Sequence, residues 1–173
     1  MTALRWVLSG WMISAVICID GCGYRFVGGE DFPFGINTVA VQVLRNRTSE
    51  TGIETILTND LIFEFNRSTQ VRVVRAAEAD AVLSGVITRS FVTNVSRRSR
   101  DSTTERRITI FIDVVLKSSS AEVLWEASGL SSSQTYEVSA DEKFIIDTSQ
   151  RLAIARLSRR LSERVYRLIT DVE

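Results

Sequence analysis

Between Arg106 and Lys117 the chain alternates: Ile108, Ile110, Ile112, Val114 and Leu116 fall at every second position. Only an extended strand sends alternate side chains to one face, so this stretch predicts a strand with one apolar side that must be covered. A second long strand is expected over residues 81–93. A third is expected over residues 122–131, after a short serine turn at 118–120, with Val123, Trp125 and Ala127 facing the same way. The constraint is therefore an antiparallel meander with one apolar face, which needs other elements laid against it.

Two segments have the period to do so. Ile53, Ile56, Leu57, Leu61 and Phe65 recur at three and four residues, and Ile154, Leu157, Leu161, Val165 and Leu168 do the same near the C-terminus. Both predict amphipathic helices, each preceded by residues at capping-box spacing, Thr51 with Glu54 and Ser139 with Glu142. Before the first helix, residues 37–44 alternate with Val39, Val41 and Val43 on one face, and residues 46–49 form a polar turn. After it, Val71, Val73 and Val74 make a short strand, and residues 76–80 a tight polar connection. The expected fold is α+β, a two-layer sandwich with two helices on one face of a mostly antiparallel or mixed sheet of about four strands.

Composition narrows the chemistry. With 173 residues the chain can bury a core as one domain. Lysine plus arginine and aspartate plus glutamate number 21 each, so no global field recruits nucleic acid. There is no histidine, which removes the commonest general base and metal ligand. The two cysteines, Cys18 and Cys22, both fall near the N-terminus, leaving the rest without a disulfide or thiolate metal site. An enzyme is not expected, and no cofactor or metal is implied.

Residues 6–19 form an apolar run of about signal-peptide length, short for a membrane span. It ends in Ile19, Asp20, Gly21 and Cys22, which resembles a bacterial lipobox, although Asp20 stands where a small or apolar residue is usual and the n-region has the single basic residue Arg5. The expected organisation is a signal peptide over 1–21, a lipidated linker over 22–35 broken by Gly28, Gly29, Pro33 and Gly35, and a single domain over 36–173. Cys22 is the expected acylation site, and two or more acyl chains suffice for stable anchoring. Gly23, in place of the aspartate that resembles an inner-membrane retention signal, favours the outer membrane.

Arginine carries almost all the positive charge, Lys117 and Lys143 being the two lysines. Arg97, Arg98, Arg100, Arg106 and Arg107 cluster in the loop between the two longest strands, against Asp101 and Glu105. Guanidinium forks bind phosphate bidentately, so these five are the candidate anion site; a solvated hairpin tip is the competing interpretation. Arginines at 151, 156, 159, 160, 164 and 167 line the polar side of the last helix, where they dock an acidic partner or face water. The carboxylate pairs Asp60 with Glu64 and Asp141 with Glu142 sit naturally on a helix face and in a helix first turn, which argues against catalysis there. Residues 128–133, rich in serine, mark a sheet edge open to a partner strand.

The order and spacing of several short segments resemble the LptE family of lipopolysaccharide-assembly lipoproteins. They are Cys22-Gly23-Tyr24-Arg25-Phe26, Ile36-Asn37-Thr38-Val39-Ala40-Val41, Asn46-Arg47-Thr48, Leu57-Thr58-Asn59-Asp60-Leu61, Ala79-Asp80-Ala81-Val82-Leu83-Ser84-Gly85 and Val123-Leu124-Trp125-Glu126. The resemblance implies a helix-and-sheet sandwich that sits within an LptD β-barrel, helps that barrel assemble and contacts lipopolysaccharide through basic residues. The stretch 36–74 also resembles periplasmic lipoproteins that activate peptidoglycan synthases, which would give a binding module of another pathway.

Overall fold

The computed structural model describes residues 32–97, 103–139 and 143–172. Two compact units, residues 1–30 and 31–173, divide the chain, and the second holds every described residue. In chain order it runs β1 (Thr38–Val41), β2 (Arg45–Asn46), α1 (Ile53–Arg67), β3 (Arg72–Val73), β4 (Ala81–Arg97), β5 (Thr103–Ser118), β6 (Val123–Ser139) and α2 (Lys143–Thr170). The strands form one mixed sheet in the order β3-β1-β4-β5-β6, with β2 also paired to β4. The fold is α+β as expected, but the sheet has six strands rather than four. β3 falls within the short strand expected at 71–74, whereas β2, two residues long, is too short to leave an alternation in the sequence.

The three long strands pair antiparallel, from Ala81 opposite Ser118 to Arg97 opposite Thr104, and from Lys117 opposite Val123 to Thr103 opposite Ser139. They run further than the alternation suggested. At about 3.3 Å per residue, the 17 residues of β4 span roughly 50 Å. Ile108, Ile110, Ile112, Val114 and Leu116 are all buried, as their period requires. They join one core with Leu57, Leu61 and Phe65 of α1 and Leu157, Leu161 and Val165 of α2. Gly85 sits where β4 and β5 approach closely: a Cβ there would lie 2.7 Å from the Asp113 carbonyl oxygen and 2.9 Å from a Val114 methyl.

Several local expectations are corrected. Residues 37–44 are not one strand: β1 stops at Val41, Val39 and Ala40 are both buried, and Val43 is 68% exposed while Leu44 is buried. The chain leaves the ladder between β1 and β2, so the alternation loses its phase there. Val123 is likewise exposed, because the β5–β6 register shifts between Leu116 and Lys117 and turns it away from Trp125. At the start of α1, Thr51 is not the cap. Gly52 holds that position with φ 88°, and the Glu54 carboxylate reaches back to its N–H at 3.1 Å and accepts from Asn46 Nδ2 at 2.8 Å. Hydrogen bonds from its own backbone N–H first, then from Asn46, hold the Glu54 carboxyl below its ordinary range. The second capping box lies outside the described residues at Glu142.

Two clamps tie the parallel half of the sheet together. Asp80 Oδ2 accepts from the N–H groups of Asn37 and Thr38, both at 2.9 Å, and the Asp80 N–H is donated to Thr38 Oγ1 at 2.9 Å. Thr58 Oγ1, buried on α1, accepts from the Leu44 N–H at 3.1 Å and donates to the Glu54 carbonyl at 2.6 Å. At one end of the helices, Phe32 is buried beside Phe65 and Tyr166, with ring centroids 6.1 and 6.3 Å away.

Candidate functional site

The arginine cluster belongs to the ribbon formed by β4 and β5. β2 leaves β4 at Ile87, and beyond it β4, β5 and β6 continue as three strands toward residues 97–103. Arg97 ends β4 opposite Thr104. Arg98 and Arg100 lie outside the described residues, as does Cys22.

Arg106 and Arg107 are neighbours on β5 and therefore project to opposite faces. Arg107 is exposed, opposite Thr93 and Thr135, with its Nε 3.5 Å from Thr135 Oγ1. Arg106 is half-buried on the face that carries Ile108, opposite Tyr136, and its Nε is buried without a hydrogen-bond partner. Burial raises the Tyr136 phenol above its ordinary range, and the charge and hydrogen bond of Arg106 oppose that rise. The Tyr136 hydroxyl donates to Gln150 Oε1 at 3.3 Å, and Gln150 Nε2 donates to Glu50 Oε1 at 3.1 Å. Arg106 thus belongs to a polar chain linking β6, α2 and the loop before α1, whereas Arg107 is turned to solvent. Strand periodicity alone could have separated the two.

The arginines of α2 also divide. Arg160 donates to the Ser133 carbonyl at 2.8 Å and to Gln134 Oε1 at 2.6 Å, and Arg164 lies 3.4 Å from the Ser131 carbonyl. Four helical residues rise about 6 Å and two strand residues about 6.6 Å, so this spacing keeps step with alternate carbonyls of β6. β6 is the sheet margin, and residues 128–133 do form part of it, but two arginines occupy its carbonyls. The carboxylates Asp60 and Glu64 are engaged as well: Asp60 accepts from Ser158 Oγ at 2.5 Å, and buried Glu64 pairs with Arg67 at 2.8 Å. Asp141 and Glu142 lie outside the described residues.

On the opposite face of the sheet, a groove of about 330 Å³ lies over Ser84, Asp113 and Glu126, with Gln42, Arg45 and Ser128 at its sides. Its charges are mixed, and the Asp113 carboxylate already accepts from the Gly129 N–H at 2.7 Å. No group of three potential metal ligands occurs among the described residues. No helix among them is long and apolar enough to cross a membrane.

A family model described as LptE, lipopolysaccharide-assembly, matches residues 36–169. The chain belongs to the LptE family. That span takes in both helices and all three long strands of the meander. No curated protein matches the chain. Among solved structures, a minor lipoprotein from Acinetobacter baumannii is similar at 11% identity and TM-score 0.49, over 78% of this chain and 90% of that one. A protein from Chlamydia trachomatis follows at 13% identity and TM-score 0.47, over 77% and 97%. A lipoprotein from Neisseria meningitidis has 11% identity and TM-score 0.42, over 70% and 98%. LptE is a family of non-catalytic lipoproteins of lipopolysaccharide assembly, and this chain is placed in the cell envelope with it.

Proposed function

We propose that this chain is a lipid-anchored, periplasm-facing component of the outer membrane that partners an LptD-type β-barrel, plugging it and assisting its assembly, and that it binds lipopolysaccharide through arginines. The family match across residues 36–169 carries the reading. Lipid attachment at Cys22 after removal of residues 1–21 supplies the anchor, with 22–35 as the tether and 36–173 as the functional domain. The helices share one face of the sheet as a two-layer sandwich, which the single core spanning α1, α2 and β5 supports. The chain performs no catalysis of its own.

The proposed lipopolysaccharide site is the cluster Arg97, Arg98, Arg100 and Arg107, since guanidinium groups pair with headgroup phosphates. Arg106 supports it from the Tyr136 side. Reversing the charge of Arg97, Arg98 and Arg100 together tests this. The expected outcome is weaker capture on immobilised lipopolysaccharide with unchanged thermal unfolding. Undiminished capture removes the cluster from the site.

A further inference from the structure

Among the described residues the other margins of the sheet are blunted: β2 and β3 are two residues long each, and β6 has carbonyls taken by Arg160 and Arg164. The one that remains is β4 beyond Ile87. The Arg47 N–H is donated to the Ile87 carbonyl at 3.0 Å, which is the last bond to β4 from that side. The β5 ladder then slips by one residue at Thr88, whose hydroxyl donates to the Phe111 carbonyl. From Arg89 onward β4 keeps β5 on one side and has no described partner on the other.

Sheet margins are ordinarily protected by lysine, proline, brevity or a cover. Residues 89–95 have no lysine, proline or acid. Phe91 is 45% exposed, Val92 39% and Val95 41%. Phe91 and Val92 are consecutive, so apolar surface is presented on both faces of the strand. Arg89 stays exposed, with its Cζ 4.4 Å from the centre of the Phe111 ring, which also stacks on Phe91 at 6.0 Å.

We propose that the free margin of β4 over residues 89–95 is a strand-addition site for an extended segment of a partner protein, apolar at alternate positions and acidic at the end that meets Arg89. Backbone bonds supply the attachment, and the apolar shelves on the two faces select alternate side chains. The acidic end follows from charge. Residues 81–95 of β4 include no acid, exposed Arg89 opens the margin, and exposed Arg45 and Arg47 flank the same end. A second copy of this chain fits poorly. A parallel in-register pairing sets Arg89 against itself, and like charges directly opposite are destabilising; an antiparallel pairing centred on Val92 sets Arg89 opposite Val95, and residues 89–95 supply no acid to meet it. This inference rests on sheet geometry and stands apart from lipopolysaccharide binding.

The test is amide hydrogen exchange of the whole chain with a synthetic peptide of alternating valine and threonine ending in glutamate on both sides. The peptide is expected to slow exchange over residues 89–95. Val92→Lys, which sets a charge on the margin, is expected to weaken peptide binding by about tenfold or more, and an arginine-ended peptide binds less tightly. Phe91→Ser serves as a second variant, with thermal unfolding confirming that each variant is folded. No slowing over 89–95, or slowing over 131–137 instead, overturns the proposal. The readout is the amides of 89–95 that do not bond to β5. Protection of those amides without peptide also overturns the proposal: if it is lost on dilution the occupant is a second copy, and if it persists the chain covers its own edge.

Discussion

Asp80 secures the junction of β1 and β4 with one carboxylate oxygen that accepts two backbone N–H groups. The bond from Asn37 first, then those from Thr38, hold its carboxyl below the ordinary value of 3.8. A depressed folded-state pKa means the carboxylate stabilises the fold fully above 3.8, and that contribution is lost as pH falls below 3.8 through the folded value. Asp80→Asn is therefore expected to be less stable than the natural chain at neutral pH and to close that gap below pH 3.8, as followed by denaturant unfolding at a series of pH values. Thr58 is the buried counterpart. Thr58→Val keeps the shape but strands the Leu44 N–H, at a cost of about 1–3 kcal/mol in unfolding free energy. Neither role is legible in the sequence, because Asp80 lies in what reads as a polar connection and Thr58 on an ordinary helix face. Both acquire partners more than ten positions away in the chain, where local pattern has no reach.

At the level of elements, the meander was legible because β5 buries one face from Ile108 to Leu116, so each pleat left its mark there. The parallel half was not. β1 is a short interior strand flanked by β3 and β4, with Val39 and Ala40 buried on opposite faces, and the irregular step to β2 reverses which side of Val43 and Leu44 is inward. The arginine cluster was read as one group, but adjacent strand residues diverge, sending Arg106 to Tyr136 and leaving Arg107 in solvent. The arginines of α2 are expected to dock an acidic partner or to face water, and all six are exposed. Two of them, Arg160 and Arg164, also close β6 from the side. Replacing both with alanine frees the carbonyls of Ser131 and Ser133, and sedimentation velocity is expected to show concentration-dependent association that the natural chain lacks. Unchanged sedimentation would mean that β6 is protected by its other features.

Across the whole molecule, one core joins α1 and α2 to the buried face of the long strands, while the ribbon runs on past the end of β2. The residues that hold the fold lie in this core, and both proposed recognition surfaces, the arginine cluster and the free margin of β4, lie outside it. Three of the short segments that carry the family resemblance include residues with a definite backbone role: Asn46 in the turn before α1, Asp80 in the β1–β4 clamp and Gly85 at the close approach to β5. The central claim is membership of a lipopolysaccharide-assembly complex at the outer membrane. Purification of the tagged full chain in mild detergent, with mass spectrometry of the proteins that remain bound, tests it most directly. The expected result is a stoichiometric outer-membrane β-barrel of the LptD type; recovery of a peptidoglycan synthase, or of the chain alone, would contradict it.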